Sequence, residues 1–336
     1  MKIIEFGKDG SEDRSRRVKI LEFDRGSDWD TSSARTAAPQ LAPKASVTSD
    51  WDPSHARRTS TSLKMHVLDL GKLRLDKNFV VANSTVATAR EPNPLGQVID
   101  IPVSAYYIEH PDGNILYDTG CHPDWGGPNG RWPEHLQDLF PVIGGEECML
   151  PNRLEELGVG PDQVRHVVLS HLHCDHAGCV EFFRKSQIVV HEDEFSAAFS
   201  HYALHDESKP YVLKDLERWL QLGLHWRRIG RKEPDQNLVE GVRLLNFGSG
   251  HAYGMLGLAV SLRSHPSVLL ISDACYTAEN YGPPMRPSGI SHDSIGSART
   301  IERIRAMAGD MKTNVWFGHD ADQFETLRKS GEGYYE

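Results

Sequence analysis

Leu169-Ser170-His171-Leu172-His173-Cys174-Asp175-His176-Ala177-Gly178 gathers three imidazoles and a carboxylate into the six residues from His171 to His176. The run just before them, Val167-Val168-Leu169, is apolar and β-branched and predicts a buried strand. The run just after them, Ala177 to Phe183, predicts the start of a helix. The four polar side chains therefore belong to a turn at the C-terminal end of a strand. Neutral imidazole and carboxylate suit a borderline divalent metal such as zinc. One tetrahedral ion cannot readily take all four, because the neighbours Asp175 and His176 point differently from the His171/His173 pair. Two adjacent ions can share them. The bland alternative is a His-rich surface turn, and further ligands later in the chain decide between the two.

Length and composition set the frame. A chain of 336 residues can bury a sizeable core as one large domain or two smaller ones. A net charge of -10 argues against a nucleic-acid partner, which calls for a basic surface. No apolar run reaches a membrane-spanning length. No secretory signal is visible at the N-terminus, and Glu5, Asp9, Glu12 and Asp13 argue against a mitochondrial transit peptide. The five cysteines form no disulfide pattern, so cytoplasmic residence is the default. Residues 1–62 differ from the rest: Ser, Thr, Arg, Pro and Asp dominate from Gly26 to Thr61 with little periodicity, as in a disordered or loosely packed tail. The folded domain is expected over 63–336.

In that body Met65 to Leu70 alternates as a half-buried strand does, and Leu73 to Leu75 and Phe79 to Val81 continue the theme. Ile101 to Ile108 and Asn114 to Tyr117 flank Pro111-Asp112-Gly113, a hairpin turn. The second of these strands ends in Asp118, which either orients a metal-ligating His or caps a turn. From Cys121 to Pro151 the chain is irregular and rich in Gly, Pro and aromatics, including Trp125, Trp132 and Phe140; it could wall a pocket. Gln187 to His191 reads as a strand, and Glu192 to Ser200 and Leu213 to Leu222 as helices. His191, His201 and His205 are read as packing or surface residues, and Trp219 and Trp226 as core.

Three later strands repeat the theme of a ligand-type side chain at the C-terminal end. Val242 to Phe247 runs into Gly248-Ser249-Gly250-His251; Ser267 to Ser272 ends at Asp273-Ala274-Cys275-Tyr276-Thr277; Asn314 to Phe317 ends at Gly318-His319-Asp320. Met255 to Leu262 forms a hairpin with the second of these, and Ser297 to Ala308 and Ala321 to Leu327 read as helices. The whole set is five His and two Asp, enough for two three-ligand sites that share one carboxylate. Two such ions ~3.5–4 Å apart can hold a bridging hydroxide near neutral pH and polarise a carbonyl. Hydrolysis of an acyl bond follows. No dinucleotide-binding fingerprint is present.

On these residues the chain resembles the metallo-β-lactamase superfamily, through His-x-His-x-Asp-His and the single His, Asp and His that follow. Asp273-Ala274-Cys275-Tyr276-Thr277 and Gly318-His319-Asp320 resemble the N-acyl homoserine lactonase and 4-pyridoxolactonase branch. The resemblance covers residues 65–330. It implies an α/β fold, an αββα sandwich of two central mixed β-sheets flanked by helices. It implies two Zn²⁺ per chain, with other divalent transition metals able to substitute. His171, His173 and His251 would bind the first, Asp175, His176 and His319 the second, and Asp273 would bridge. Tyr276 would donate to a developing oxyanion and Asp175 would pass a proton to the leaving alkoxide. The family has a further His four residues after the one at His251; here Met255 stands there.

The expected function is a dinuclear-metal hydrolase that opens a small lactone similar to an N-acyl homoserine lactone, with quorum quenching or detoxification as its use. The alternative keeps the site and opens a cyclic amide or carbamate such as a benzoxazolinone. A thioester hydrolase and a non-catalytic metal-binding protein rank lower. The partner is a small cyclic ester or amide, with no nucleic acid and no membrane. The oligomeric state is left open, a homodimer included.

Overall fold

The structure, a computed structural model, describes residues 62–311 and 314–336. The expected loose tail, all but Ser62, lies outside the described residues.

Twelve strands among the described residues form two sheets. The first holds β1 (Lys64–Asp76), β2 (Val98–Glu109), β3 (Asn114–Tyr117), β4 (Val142–Ile143), β5 (Val164–Val168), β6 (Gln187–His191) and β7 (His225–Ile229). Its order is β4-β1-β2-β3-β5-β6-β7. The second holds β8 (Gln236–Val239), β9 (Val242–Gly248), β10 (Met255–Val260), β11 (Val268–Ser272) and β12 (Asn314–Phe317), in the order β12-β11-β10-β9-β8. Both are mixed: β3, β5, β6 and β7 run parallel, as do β11 and β12, while the other neighbours are antiparallel. Three long helices, α1 (Glu192–Leu204), α2 (Leu213–Leu222) and α3 (Ser294–Met311), complete the layers.

The period of two along each strand sorts the core into three slabs. On β5, Val167 packs in the slab shared with Ile188, Val190, Leu216 and Trp219, between the first sheet and α1 and α2. Its neighbour Val168 turns the other way, to meet Ile115, Leu256, Leu258 and Leu270 between the sheets. On β11, Leu269 and Ile271 leave that slab to pack with Ile301 and Ile304 of α3. Each buried aliphatic side chain contributes ~1.5–3 kcal/mol. This is the αββα sandwich the resemblance implied. Two hydrogen bonds tie the sheets together beside the ligand-bearing turn: Tyr117 Oη donates to Leu256 O (2.9 Å) and Leu256 N to Ser170 O (2.9 Å).

Some local expectations fail. Phe79 to Val81 is not a strand: Lys77–Val80 is a short helix, because Asp76 accepts from Asn78 N and caps it. Ala177 to Phe183 forms only one 3₁₀ turn, Val180–Phe182. Gly178 is held there against the loop before it, donating to Gly120 O at 2.8 Å. A Cβ on Gly178 would fall 2.3 Å from His122 N, so only glycine permits this approach. Met65 to Leu75 is one strand whose register shifts between Asp69 and Lys72, around Gly71 at φ +84°. Strands β7 and β8 had no clear alternation to announce them. Trp219 is buried as expected; Trp226 is only partly so, packed against the same core.

Candidate metal centre

Parallel pairing places the C-terminal ends of β3, β5, β11 and β12 at one rim. Asp118 follows β3, His171 to His176 follow β5, Asp273 follows β11 and His319 follows β12; His251 comes after β9. Asp118 and Ser272, at the exits of β3 and β11, have φ of +62° and +45°. That left-handed geometry costs a non-glycine residue ~1 kcal/mol or more, and the surrounding packing must hold it.

All seven expected ligand residues converge and all are buried, between 0% and 8% exposed. Three sets have ligand-type atoms within 4.8 Å of one another: His171/His173/His251, His171/His176/Asp273 and Asp175/His176/His319. Asp273 faces both ends of the cluster. Its Oδ2 is 3.4 Å from His251 Nε2 and 3.9 Å from His171 Nε2, and its Oδ1 is 3.0 Å from His319 Nε2 and 3.4 Å from His176 Nε2. Gly318 makes room for it, since a Cβ there would lie 2.7 Å from Asp273 Oδ1.

Hydrogen bonds behind the cluster fix which nitrogen of each ring is free. His319 Nδ1 donates to Pro102 O (2.8 Å) and His251 Nδ1 to Ile290 O (3.1 Å). His176 Nδ1 donates to Asp118 Oδ2 (2.9 Å). The Ser170 hydroxyl spends its one proton on the same Asp118 oxygen (2.8 Å), so it accepts from His171 Nδ1 (2.9 Å). Ser272 Oγ closes the network, 3.2 Å from Asp118 Oδ2. In all four rings the Nε2 lone pair is left pointing inward; His173 instead turns Nδ1 to within 2.9 Å of His251 Nε2. Asp118 thus orients a ring, as one of its two sequence readings held. Ser170 and Ser272 were missed, although each directly precedes a ligand-type residue.

The donor set fits divalent metal ions. His171 Nε2, His176 Nε2 and Asp273 Oδ1 are buried with no hydrogen-bond partner, which is costly unless something coordinates them. Burial and the neighbouring imidazoles push the proton affinities of His171 and His173 well down, so both are neutral donors. Burial also opposes a charge on His176 and His319, but the carboxylates around them outweigh it and raise both. Burial opposes ionisation of Asp175 and Asp273 as well. The facing imidazoles prevail, holding Asp175 down to about 2 and Asp273 well below the usual range. The acidic half of the cluster is a field that calls for positive charge.

A pocket opens onto the cluster. His173, Asp175, Asp273, Tyr276 and His319 reach it from the floor, and Leu73, Leu75, Ile101, Phe140 and Ile290 wall it. Phe140 is the one aromatic of the irregular 121–151 segment that lines this pocket; Trp132 is buried and Trp125 packs edge-on against it. The Tyr276 ring stacks on His319 at 5.2 Å. Its hydroxyl lies 3.2 Å from His251 Nδ1, whose proton is directed at Ile290 O. The phenol also hydrogen-bonds the Asp273 carboxylate, which can only accept, so its proton faces Asp273. Burial and then Asp273 raise the phenol well above its ordinary range, so it stays protonated. His191 is buried and caps α1, while His201 and His205 are partly buried and exposed; none joins the cluster, as expected.

The sequence model of the metallo-β-lactamase superfamily matches residues 98–245. The N-acyl homoserine lactonase AiiB of Agrobacterium fabrum is 55% identical over 273 residues, 81% of this chain and 99% of that protein. The N-acyl homoserine lactonase AiiA of Bacillus thuringiensis subsp. kurstaki is 30% identical over 272 residues, 80% of this chain and 97% of its own length. A solved N-acyl homoserine lactone hydrolase, with N-hexanoyl-L-homoserine bound at its catalytic metal centre, superposes with a TM-score of 0.67. It is 29% identical, over 80% of this chain and 98% of that one.

Proposed function

The chain belongs to the metallo-β-lactamase superfamily, among the N-acyl homoserine lactonases, and from that premise we propose how its own residues open a lactone. The enzyme is a metal-dependent hydrolase that adds water across the ring ester of a small lactone of the N-acyl homoserine type. The observation that carries this is Asp273, shared between two donor sets at the foot of an apolar-walled pocket.

His171, His173 and His251 would hold one ion, Asp175, His176 and His319 the other, and Asp273 would be shared between them. Zinc fits the donors, which are imidazole and carboxylate alone. Bound ions of this kind lower the pKa of water toward ~7 and polarise a carbonyl. The floor of the pocket takes the polar ring, and Leu73, Leu75, Ile101, Phe140 and Ile290 take the acyl chain. Tyr276 turns its hydroxyl proton from Asp273 to the carbonyl oxygen as charge develops on it. Asp175 accepts a proton from the attacking water and delivers it to the ring oxygen as the carbon–oxygen bond breaks. The product is the open hydroxy acid.

The catalytic domain is residues 63–336. No helix among the described residues is long and apolar enough to cross a membrane. All five cysteines are free, which suits a reducing cytoplasm.

The test is a ring-opening assay of the metal-loaded full chain across N-acyl homoserine lactones, simple lactones, cyclic amides and thioesters, repeated after chelation. Acyl homoserine lactones should be the fastest substrates, and chelation should abolish turnover. Faster opening of a cyclic amide or carbamate would move the assignment to a lactamase, and undiminished turnover without metal would end it.

A further inference from the structure

Glu194 is a carboxylate in the first turn of α1 that is 0% exposed and belongs to none of the ligand sets. It accepts four hydrogen bonds. Oε1 takes Leu172 N at 3.0 Å and Tyr211 Oη at 3.0 Å; Oε2 takes Tyr253 N at 3.0 Å and Gly254 N at 3.4 Å. All four partners are neutral donors. A carboxylate has no proton of its own to place, so it alone among side chains of this length can accept on both oxygens at once.

The identity of those donors gives the residue its meaning. Leu172 is the peptide between His171 and His173, and Tyr253 and Gly254 lie just past His251. Tyr211 sets its ring 5.4 Å from that of His173. Every partner of Glu194 thus adjoins one triad, His171/His173/His251, and none adjoins Asp273, His176 or His319. The two loops come from different sheets, and Glu194 reaches both from one helix turn. Gly254 lets them close up, since a Cβ there would sit 2.0 Å from His191 Nδ1 at the cap of the same helix.

We propose that Glu194 is a positioning residue that sets the geometry of the His171–His173–His251 triad, and so governs occupancy of one of the two metal sites selectively. The inference rests on the reading of the seven-residue cluster as a two-ion centre. Burial pushes the Glu194 carboxyl up to about 7, so the acceptor form is held at a cost that the four donors must offset.

Glu194→Gln keeps the shape but replaces one acceptor oxygen with an NH₂ group, which must oppose an N–H or O–H donor. Metal-free full-length protein, its E194Q variant and a Tyr211→Phe variant are titrated with Co²⁺, counting bound ions and following the visible absorption of the complex. The parent chain should take up two ions. E194Q should still bind one normally and bind the other ~10-fold or more weakly, within the range seen for residues that orient metal ligands. The band that changes should be that of the three-imidazole site. Tyr211→Phe removes one donor and leaves the carboxylate, so it should shift the same site less. It decides the matter if E194Q does not fold: a shift confined to one site supports the proposal, and none overturns it. Equal weakening of both sites, or unchanged titration of E194Q, also overturns it. Fewer than two ions on the parent chain would instead overturn the two-ion centre, and this inference with it.

Discussion

Asp118 Oδ2 stands 2.9 Å from His176 Nδ1, and the same oxygen also receives Ser170 Oγ at 2.8 Å. One carboxylate on the exit of β3 therefore sets the orientation of two rings, His176 directly and His171 through the serine. Removing its charge with Asp118→Asn leaves an amide whose NH₂ can face the His176 ring as a donor. Metal affinity should fall by ~10–100-fold while the fold persists. Isothermal titration with Zn²⁺ measures it; unchanged affinity would show that the rings are held by packing alone.

Asp273 touches both donor sets, so its loss should not be confined to either. Asp273→Ala is expected to lose bound metal and lactone hydrolysis together. Metal content of the purified variant, read beside its turnover, tests this. Full occupancy with normal turnover would remove the bridging assignment.

Tyr276 has a buried, protonated hydroxyl facing Asp273 and a ring packed on His319. Tyr276→Phe keeps the packing and deletes the donor. Both ions should remain, and kcat should drop by at most about 2–4 kcal/mol in barrier, the scale of one oxyanion donor. Identical kinetics for the two proteins would reduce Tyr276 to a packing residue.

Away from the site, Arg131 holds two buried carboxylates, Glu181 at 3.0 Å and Asp215 at 2.9 Å. His122 and Arg218 approach Glu181 from other sides, at 3.6 Å and 3.5 Å. Burial pushes Asp215 up to about 7 in spite of the guanidinium. The folded chain then keeps a proton that the unfolded chain sheds near pH ~4. That contribution to stability is fully present below the unfolded value and is lost as pH rises to about 7. Asp215→Asn is neutral throughout. Relative to it, the parent chain should lose up to roughly 4 kcal/mol of unfolding free energy between pH ~4 and ~7. Urea titrations of both proteins across that range give the difference; a flat difference would mean that Arg131 keeps Asp215 ionised.

Most of the centre could be read from the chain because its chemistry is concentrated at strand ends. An apolar run stopping at His171, at Asp273 or at His319 leaves a ligand-type side chain at a sheet's rim, and that pattern survives in one dimension. The short turns were less legible. Phe79 to Val81 is as apolar and β-branched as a strand, but a cap from Asp76 outweighed propensity there. After His176, helical pattern lost to the close approach of Gly178 to Gly120.

By itself, then, the order of residues determined the ligand types, their placement at strand ends and the alternation that builds two sheets, since each depends only on neighbours along the chain. Tertiary structure alone decided which nitrogen of each imidazole faces inward, because that is set by Pro102 O, Ile290 O and Asp118, 217, 39 and 58 residues from the rings they hold. It also decided that one buried glutamate, Glu194, would span two sheets' loops. No local pattern marks an acceptor whose donors arrive from 22, 17, 59 and 60 residues away.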